Sequence, residues 1–126
     1  MAGRTDGRSK NFKAGGAIAA RTIVKFGGAD DTVVAAAAAT DKLLGVSSEI
    51  AAASGEPCDV FLTGIAEVIS GGTIARGDLV TSDASGFAVT AAPSAGTNNR
   101  VIGAALASAV SGDILAIQLG AGSFQG

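Results

Sequence analysis

The chain contains no histidine, tryptophan or tyrosine, and only one cysteine, one methionine and two prolines. Without histidine it lacks the commonest general base and the commonest zinc ligand. A single cysteine excludes an intrachain disulfide, and Cys58 reads as a small buried hydrophobe. Charge is sparse as well, at 16% of residues against a usual share of about 25%. Serine nucleophiles would have only Lys or a carboxylate to activate them, and no such constellation is present. No enzyme, cofactor or metal is expected. Long apolar runs are also missing. Arg4, Asp6, Arg8, Lys10 and Lys13 precede an apolar stretch of only seven residues, Ala14 to Ala20, which is no signal peptide. Val101 to Leu119 is mostly Ala, Gly and Ser around Asp113, and reads as sheet rather than a membrane span.

What the chain does have is small and aliphatic. Of its 126 residues 48% are hydrophobic and 19 are Gly, with five Phe as the only aromatics. That length suits one domain with one core. Core bulk must come from Val, Ile and Leu, and such thin packing favours shared interfaces, so a homo-oligomer is expected.

The chain is also written twice. Gly15-Gly16-Ala17-Ile18 through Ile23-Val24 recurs 56 residues later as Gly71-Gly72-Thr73-Ile74 through Leu79-Val80. Val33 answers to Val89 at the same offset, Leu44-Gly45 to Ile102-Gly103 at 58, and Ser54-Gly55, Val60 and Leu62 to Ser111-Gly112, Ile117 and Leu119 at 57. Two copies imply one domain built from two similar halves, about 15–64 and 71–120, within a β domain spanning 15–126.

Charge follows this organisation. Arg4, Arg8, Lys10 and Lys13 against Asp6 give the first thirteen residues +3, so the remaining 113 carry −5 of the net −2. Residues 1–14 therefore read as a flexible basic arm, nearly devoid of apolar side chains except Phe12. Beyond it, short aliphatic runs alternate with Gly, Asp, Ser and Asn clusters, as in an all-β sandwich or barrel. Strands are predicted at 22–26, 32–36, 43–47, 58–62, 65–69, 78–81, 87–90, 100–107 and 113–119. Ser82 to Gly86 reads as a hairpin turn with Gly86 at positive φ, and Gly27 to Asp31 as its first-half counterpart. The Ala35 to Ala39 tract favours a helix by propensity, but its equivalent holds Pro93 and Gly96, so a strand end and a loop are predicted.

Candidate chemistry is thin. Arg76-Gly77-Asp78 spells an integrin-type tripeptide, but it sits where Gly makes a turn and Asp starts a strand. Asp41-Lys42 has a distant likeness to a lipoyl-carrier hairpin without the tight turn; a small β-sandwich carrier or ligand-binding module is the alternative reading, with Lys42 as its modified residue. Asp30-Asp31 is the only adjacent carboxylate pair, and acidic turn residues mostly bond their own backbone. Calcium would need a denser oxygen cluster than Asp30, Asp31 and Asp41. Gly27-Gly28 and Gly71-Gly72 form no phosphate loop, since no Gly-Lys-Ser/Thr follows. Four cations without interleaved aromatics, ahead of an acidic body, do not point to nucleic acid.

One resemblance remains. Gly64-Ile65-Ala66-Glu67-Val68, Gly71-Gly72, Ile74, Gly77-Asp78-Leu79-Val80, Asp83, Gly86, Val101 to Ala107 and Gly112 to Leu119 together resemble the cement, or head decoration, proteins of tailed bacteriophages. The resemblance covers roughly residues 10–120. It implies a non-enzymatic, jelly-roll or tulip-like β protein on the outer capsid surface of the virion, made in the host cytoplasm. It also implies a homodimer or homotrimer that clamps neighbouring major capsid protein subunits, with no nucleic-acid or membrane partner. On this reading Arg4, Arg8, Lys10, Phe12 and Lys13 of the arm order on the capsid, adding a strand to a capsid sheet edge. Deleting residues 2–13 is then expected to spare folding and abolish binding. Phe61, Phe87 and Phe124 are candidates for the surface between subunits, with core burial expected for the first two.

Overall fold

The computed structural model describes residues 8–93 and 95–125, and the side chains of all of these but 121–125. Ten strands run through the described residues, with no helix among them: β1 Ser9–Ala14, β2 Ile23–Phe26, β3 Thr32–Ala35, β4 Leu43–Ser47 and β5 Pro57–Phe61 in the first half. The second half holds β6 Ile65–Ile69, β7 Leu79–Ser82, β8 Ala88–Thr90, β9 Asn98–Ala105 and β10 Ile114–Gln125. The all-β, barrel-like fold expected from the sequence is the fold adopted. Alternation does most of the local work: in β5 Cys58 and Val60 point inward, and in β6 Ala66 and Val68 do so. The alanine tract ends β3 at Ala35 and continues as a loop, in which the Asp41 carboxylate accepts the Ala37 amide at 2.8 Å.

The first half is a closed barrel in the order β1-β3-β2-β4-β5, and the second a five-stranded sheet in the order β6-β10-β9-β7-β8. Read from β3 and from β8, the two orders are the same, with β1 in the place of β6. In the first half β1 lies antiparallel to β5 and parallel to β3, which shuts the barrel. In the second, the corresponding parallel closure is a single bridge between Ser70 and Ala88. The structural repeat therefore starts one strand earlier than the sequence echo at Gly15.

This corrects the expected free arm. Ser9–Ala14 is hydrogen-bonded to a strand on each side, Phe12 is 8% exposed and Ala14 1%, so the segment is an integral barrel stave. Satisfied backbone groups and two inward apolar side chains outweigh the entropy that would otherwise keep so polar a segment free. Residues 1–7, the rest of the predicted arm, lie outside the described residues.

The core has two parts. Phe12, Ile18, Val24, Val33, Cys58 and Val60 fill the first barrel. The larger cluster joins Val68, Val80, Ile102, Leu115 and Ile117 of the second half to Ile23, Leu43 and Val46 on the outside of the first. Backbone bonds stitch the same junction: the Ile23 amide donates to Gly86, Ile69 to Arg21 and Arg100 to Ala39, at 2.8, 3.0 and 2.7 Å. The halves thus share one interior and form one body. Two repeat-related glycines allow the strands to meet inside it. A Cβ on Gly45 would strike the Phe61 carbonyl oxygen, and one on Gly103 the Gln118 carbonyl oxygen.

Three outcomes follow from this architecture. Deleting residues 2–13 removes most of β1, so the truncated chain should lose its cooperative melting transition by circular dichroism, contrary to what a dispensable arm would give. Gly45→Ala and Gly103→Ala should each cost about 1–3 kcal/mol in urea unfolding, while Gly28→Ala, with nothing within 4 Å of its Cβ, should stay within about 0.5 kcal/mol. Burial alone would push the Asp41 carboxyl up, but the Ala37 amide, Lys25 at 3.3 Å and the Ala38 amide together hold it below its ordinary value. A folded pKa below the unfolded one adds stability that is present above about pH 4 and lost as pH falls through the folded pKa. Asp41→Asn should therefore lower the melting temperature at pH 7 and flatten its acid limb, so that the two proteins converge near pH 2.

Candidate functional site: the β1 ridge and its surroundings

Strand alternation decides what β1 shows to the outside. Phe12 and Ala14 turn inward, while Ser9, Asn11 and Lys13 turn out. Arg8, at its start, is exposed; its amide donates to Thr63 Oγ1 at 3.0 Å and its carbonyl accepts the Leu62 amide. Lys10 Nζ sits 4.2 Å from the Phe12 ring centroid and 2.8 Å from Asp31 Oδ1. Asp31 reaches that position because it holds φ +58° in the β2–β3 turn, and its carbonyl also accepts the Lys13 amide at 2.8 Å. The Lys10–Asp31 pair is solvent-exposed, so its geometry places the ammonium more than it stabilises the fold. Asn11 Nδ2 donates to Asp59 Oδ1 at 3.0 Å.

Of the residues singled out in the sequence, the structure thus brings Arg8, Lys10, Phe12 and Lys13 onto one strand, whose cations span roughly 17 Å at 3.4 Å per residue. The backbone that carries them is strand-paired, and Asp31 and Asp59 flank it. Arg4 lies outside the described residues. Ser9–Lys13 bonds β5 along one edge, and on the other edge β3 pairs with Lys13 and Ala14.

The other sequence candidates resolve into structure. Gly77 holds φ +91° and Asp78 Oδ2 accepts from Ala75 N and from Thr90 Oγ1, both at 3.0 Å, so the Arg76-Gly77-Asp78 carboxylate is committed to its own turn. The same turn recurs with Glu56 accepting from Ala53 and Asp113 from Val110. Lys42 is exposed in the segment entering β4 and not at a hairpin tip, which removes the geometric basis of a carrier lysine. Cys58 is buried in the first barrel; burial, and then the neighbouring Asp59 charge, push its thiol pKa up, leaving it a poor nucleophile. Among the described residues no three His, Cys, Asp or Glu side chains are grouped to hold a metal ion. Phe61 and Phe87 are half-buried, Phe61 packing against the larger cluster, and the Phe124 side chain lies outside the described part.

The motif reading passed over a set of apolar residues. Leu79, Leu106 and Ile114 are 41%, 41% and 55% exposed. The signal for them was present: in Ile65–Ile69 and Ile114–Ile117 both alternating sets of positions are largely aliphatic, where a sheet with one wet face should alternate with polar residues.

Comparison with known proteins gives this arrangement a setting. The crystal structure of the head fiber gp8.5 N base in bacteriophage phi29 superposes with a TM-score of 0.67 at 21% identity, covering 90% of this chain and 94% of that one. At that identity the likeness establishes the fold. A search of curated proteins finds no match. A family profile described as phage cement protein matches residues 5–119, which takes in both halves and β1, and the chain accordingly belongs to the phage cement protein family.

Proposed function

We propose that this protein attaches to the outer surface of a phage capsid as a homo-oligomer and reinforces the shell by bridging neighbouring major capsid protein subunits, without catalysing a reaction. The observation that carries this reading is the family membership of a chain whose candidate catalytic groups are committed to its own turns and core.

The structure shapes how such a clamp would work. With β1 built into the barrel, Arg8, Lys10 and Lys13 meet the capsid as a fixed ridge, and little backbone entropy remains to be lost on contact. Their role is charge complementarity to acidic capsid surface, which sets approach and register. Arg4 belongs to the same basic segment and extends that field. Phe12 acts indirectly, by anchoring the strand and supporting the Lys10 ammonium. Several weak contacts presented by one oligomer then combine through effective concentration into firm attachment.

Expanded, undecorated capsids from the same genome provide the test. The wild-type protein should co-sediment with them at a fixed ratio to capsid protein. The double variant Arg8→Glu, Lys13→Glu, altered only at exposed side chains, should fold normally and bind about tenfold more weakly at low salt, a gap that narrows as salt screens the charges. Wild-type protein that stays in the supernatant would remove the capsid reading, and unchanged affinity of the double variant would remove the role of the ridge.

A further inference from the structure

β1 is paired unevenly along its two edges, and the bonds at its C-terminal end show which way its backbone groups point. The Ala14 amide donates to Glu56 and the Arg8 carbonyl accepts from Leu62 on the β5 side, while the Lys13 and Gly15 amides donate to Asp31 and Val33 on the β3 side. Strand alternation then directs the N–H and C=O of Ser9 and Asn11 to the β3 side as well. β3 does not reach them. It begins at Thr32, opposite Lys13, and the chain ahead of it turns away through Asp31 at φ +58°. Among the described residues these four groups make one contact, the Asn11 carbonyl with Lys10 Nζ at 3.5 Å. The barrel is shut at Lys13 and Ala14, and beyond them β1 keeps a short open edge of the kind that accepts an added strand.

The same edge of β6 shows how such a position is filled. An offset of 56 relates Asn11 to Glu67 and Lys13 to Ile69. The Lys13 amide bonds the turn of its own half, but the Ile69 amide donates to the Arg21 carbonyl of the other half, at 3.0 Å, and Arg21 Nε lies 3.3 Å from Glu67 Oε1. A neighbouring segment is thus held on β6 by a carbonyl for the strand's amide and a charge opposite to the strand's own. On β1 the sign is reversed. Lys10 holds Asp31 and Asn11 bonds Asp59, which leaves Lys13 as an exposed cation with no ion pair among the described residues. A cavity of about 320 Å³ lined by Lys10, Asn11, Lys13, Asp31 and Pro57 adjoins it, with two cations to one acid. A second, of about 540 Å³, opens between Phe12 and the 26–31 turn, where Phe26 is 53% exposed.

We propose that the open edge at Ser9 and Asn11 receives an extended, acidic segment of the major capsid protein. Its backbone bonds the Ser9 and Asn11 groups, a carboxylate meets Lys13, and an apolar side chain rests on Phe26. Main-chain bonds supply attachment, and the two cavities select the side chains. A second copy of this chain fits the edge poorly. The repeat equivalent of Ala20-Arg21-Thr22 is Arg76-Gly77-Asp78, which would set Arg76 beside Lys13, and its Asp78 carboxylate is committed to Ala75 and Thr90. Two residues of edge make a weak site by themselves, and several presented together make a firm one. The proposal rests on the capsid reading, to which it gives a docking mode.

Amide hydrogen exchange at single-residue resolution, on the full chain with and without expanded, undecorated capsids from the same genome, provides the test. In the free protein the Ser9 and Asn11 amides should exchange about tenfold or more faster than those of Lys10 and Phe12, which face β5, and saturating capsids should slow them to match. Asn11→Pro removes an edge amide without touching the β5 ladder, so it should keep the wild-type circular dichroism spectrum and weaken capsid co-sedimentation about tenfold. Should that variant not fold, Ser9→Pro, at the first residue of the strand, serves instead. Exchange at Ser9 and Asn11 that capsids leave unchanged, or a folded proline variant that binds like the wild type, would overturn the edge and leave decoration standing. Slowing that follows protein concentration without capsids would make a second copy the occupant and overturn the proposal as well. Wild-type protein that ignores capsids refutes decoration itself, and the capsid segment on this edge with it.

Discussion

Everything in the first half depends on the pairing of β1 with β3 and β5. That stave closes the barrel and seals Phe12 and Ala14 into the interior. Where the strands pair, closure removes the unpaired N–H and C=O groups that make edge strands prone to association. It also determines what the basic segment is: a paired strand in which Lys13 belongs to the outward set and Lys10 to the same set as Phe12, over whose ring its ammonium lies.

The second constraint is that the halves share an interior. Ile23, Leu43 and Val46 lie outside the first barrel and inside the larger cluster, so neither half presents its full surface to water. Fusion of this kind lets a chain with five Phe as its only aromatics assemble a sufficient core from Val, Ile and Ala. It also breaks the equivalence of the repeats. One copy of the motif has Ile23 and Val46 of its outer row covered from within the chain, and the other leaves Leu79, the counterpart of Ile23, partly exposed. The asymmetry between the halves, more than their likeness, is what gives this protein distinct faces.

Much of this was legible in the residues. Eight of the ten strands were placed within two residues at each end, while β10 runs six residues past its expected end at Leu119; the hairpin glycine Gly86 holds φ +80°, and the loop after Ala35 followed from Pro93 and Gly96 in its equivalent. The tenth strand, β1, was missed because Ser-Lys-Asn-Phe-Lys-Ala carries two apolar residues among polar ones and resembles a solvated arm. Its signal lay in the repeat: the offset of 56 that relates Gly15 to Gly71 also relates Ser9–Lys13 to Ile65–Ile69, a stretch plainly written as strand. The chemistry divided in the same way. The Arg76-Gly77-Asp78 turn could be read locally because its bonds are local, whereas the Lys10–Asp31 contact joins residues far apart in sequence and arises only once the β2–β3 turn folds against β1.

By itself, then, the sequence determined the class of the protein: an all-β chain of two similar halves, stripped of the usual catalytic groups, with its family likeness carried by turns and strand edges. These are consequences of composition and short-range pattern, which act through backbone sterics and side-chain periodicity over a few residues. Only the tertiary structure decided that the basic segment is a barrel stave, that the two halves share one interior, and that Leu79 stays partly exposed while its counterpart Ile23 is covered. Those outcomes depend on which surfaces remain once every strand has found its neighbours, and burial of a face is settled by the whole chain at once.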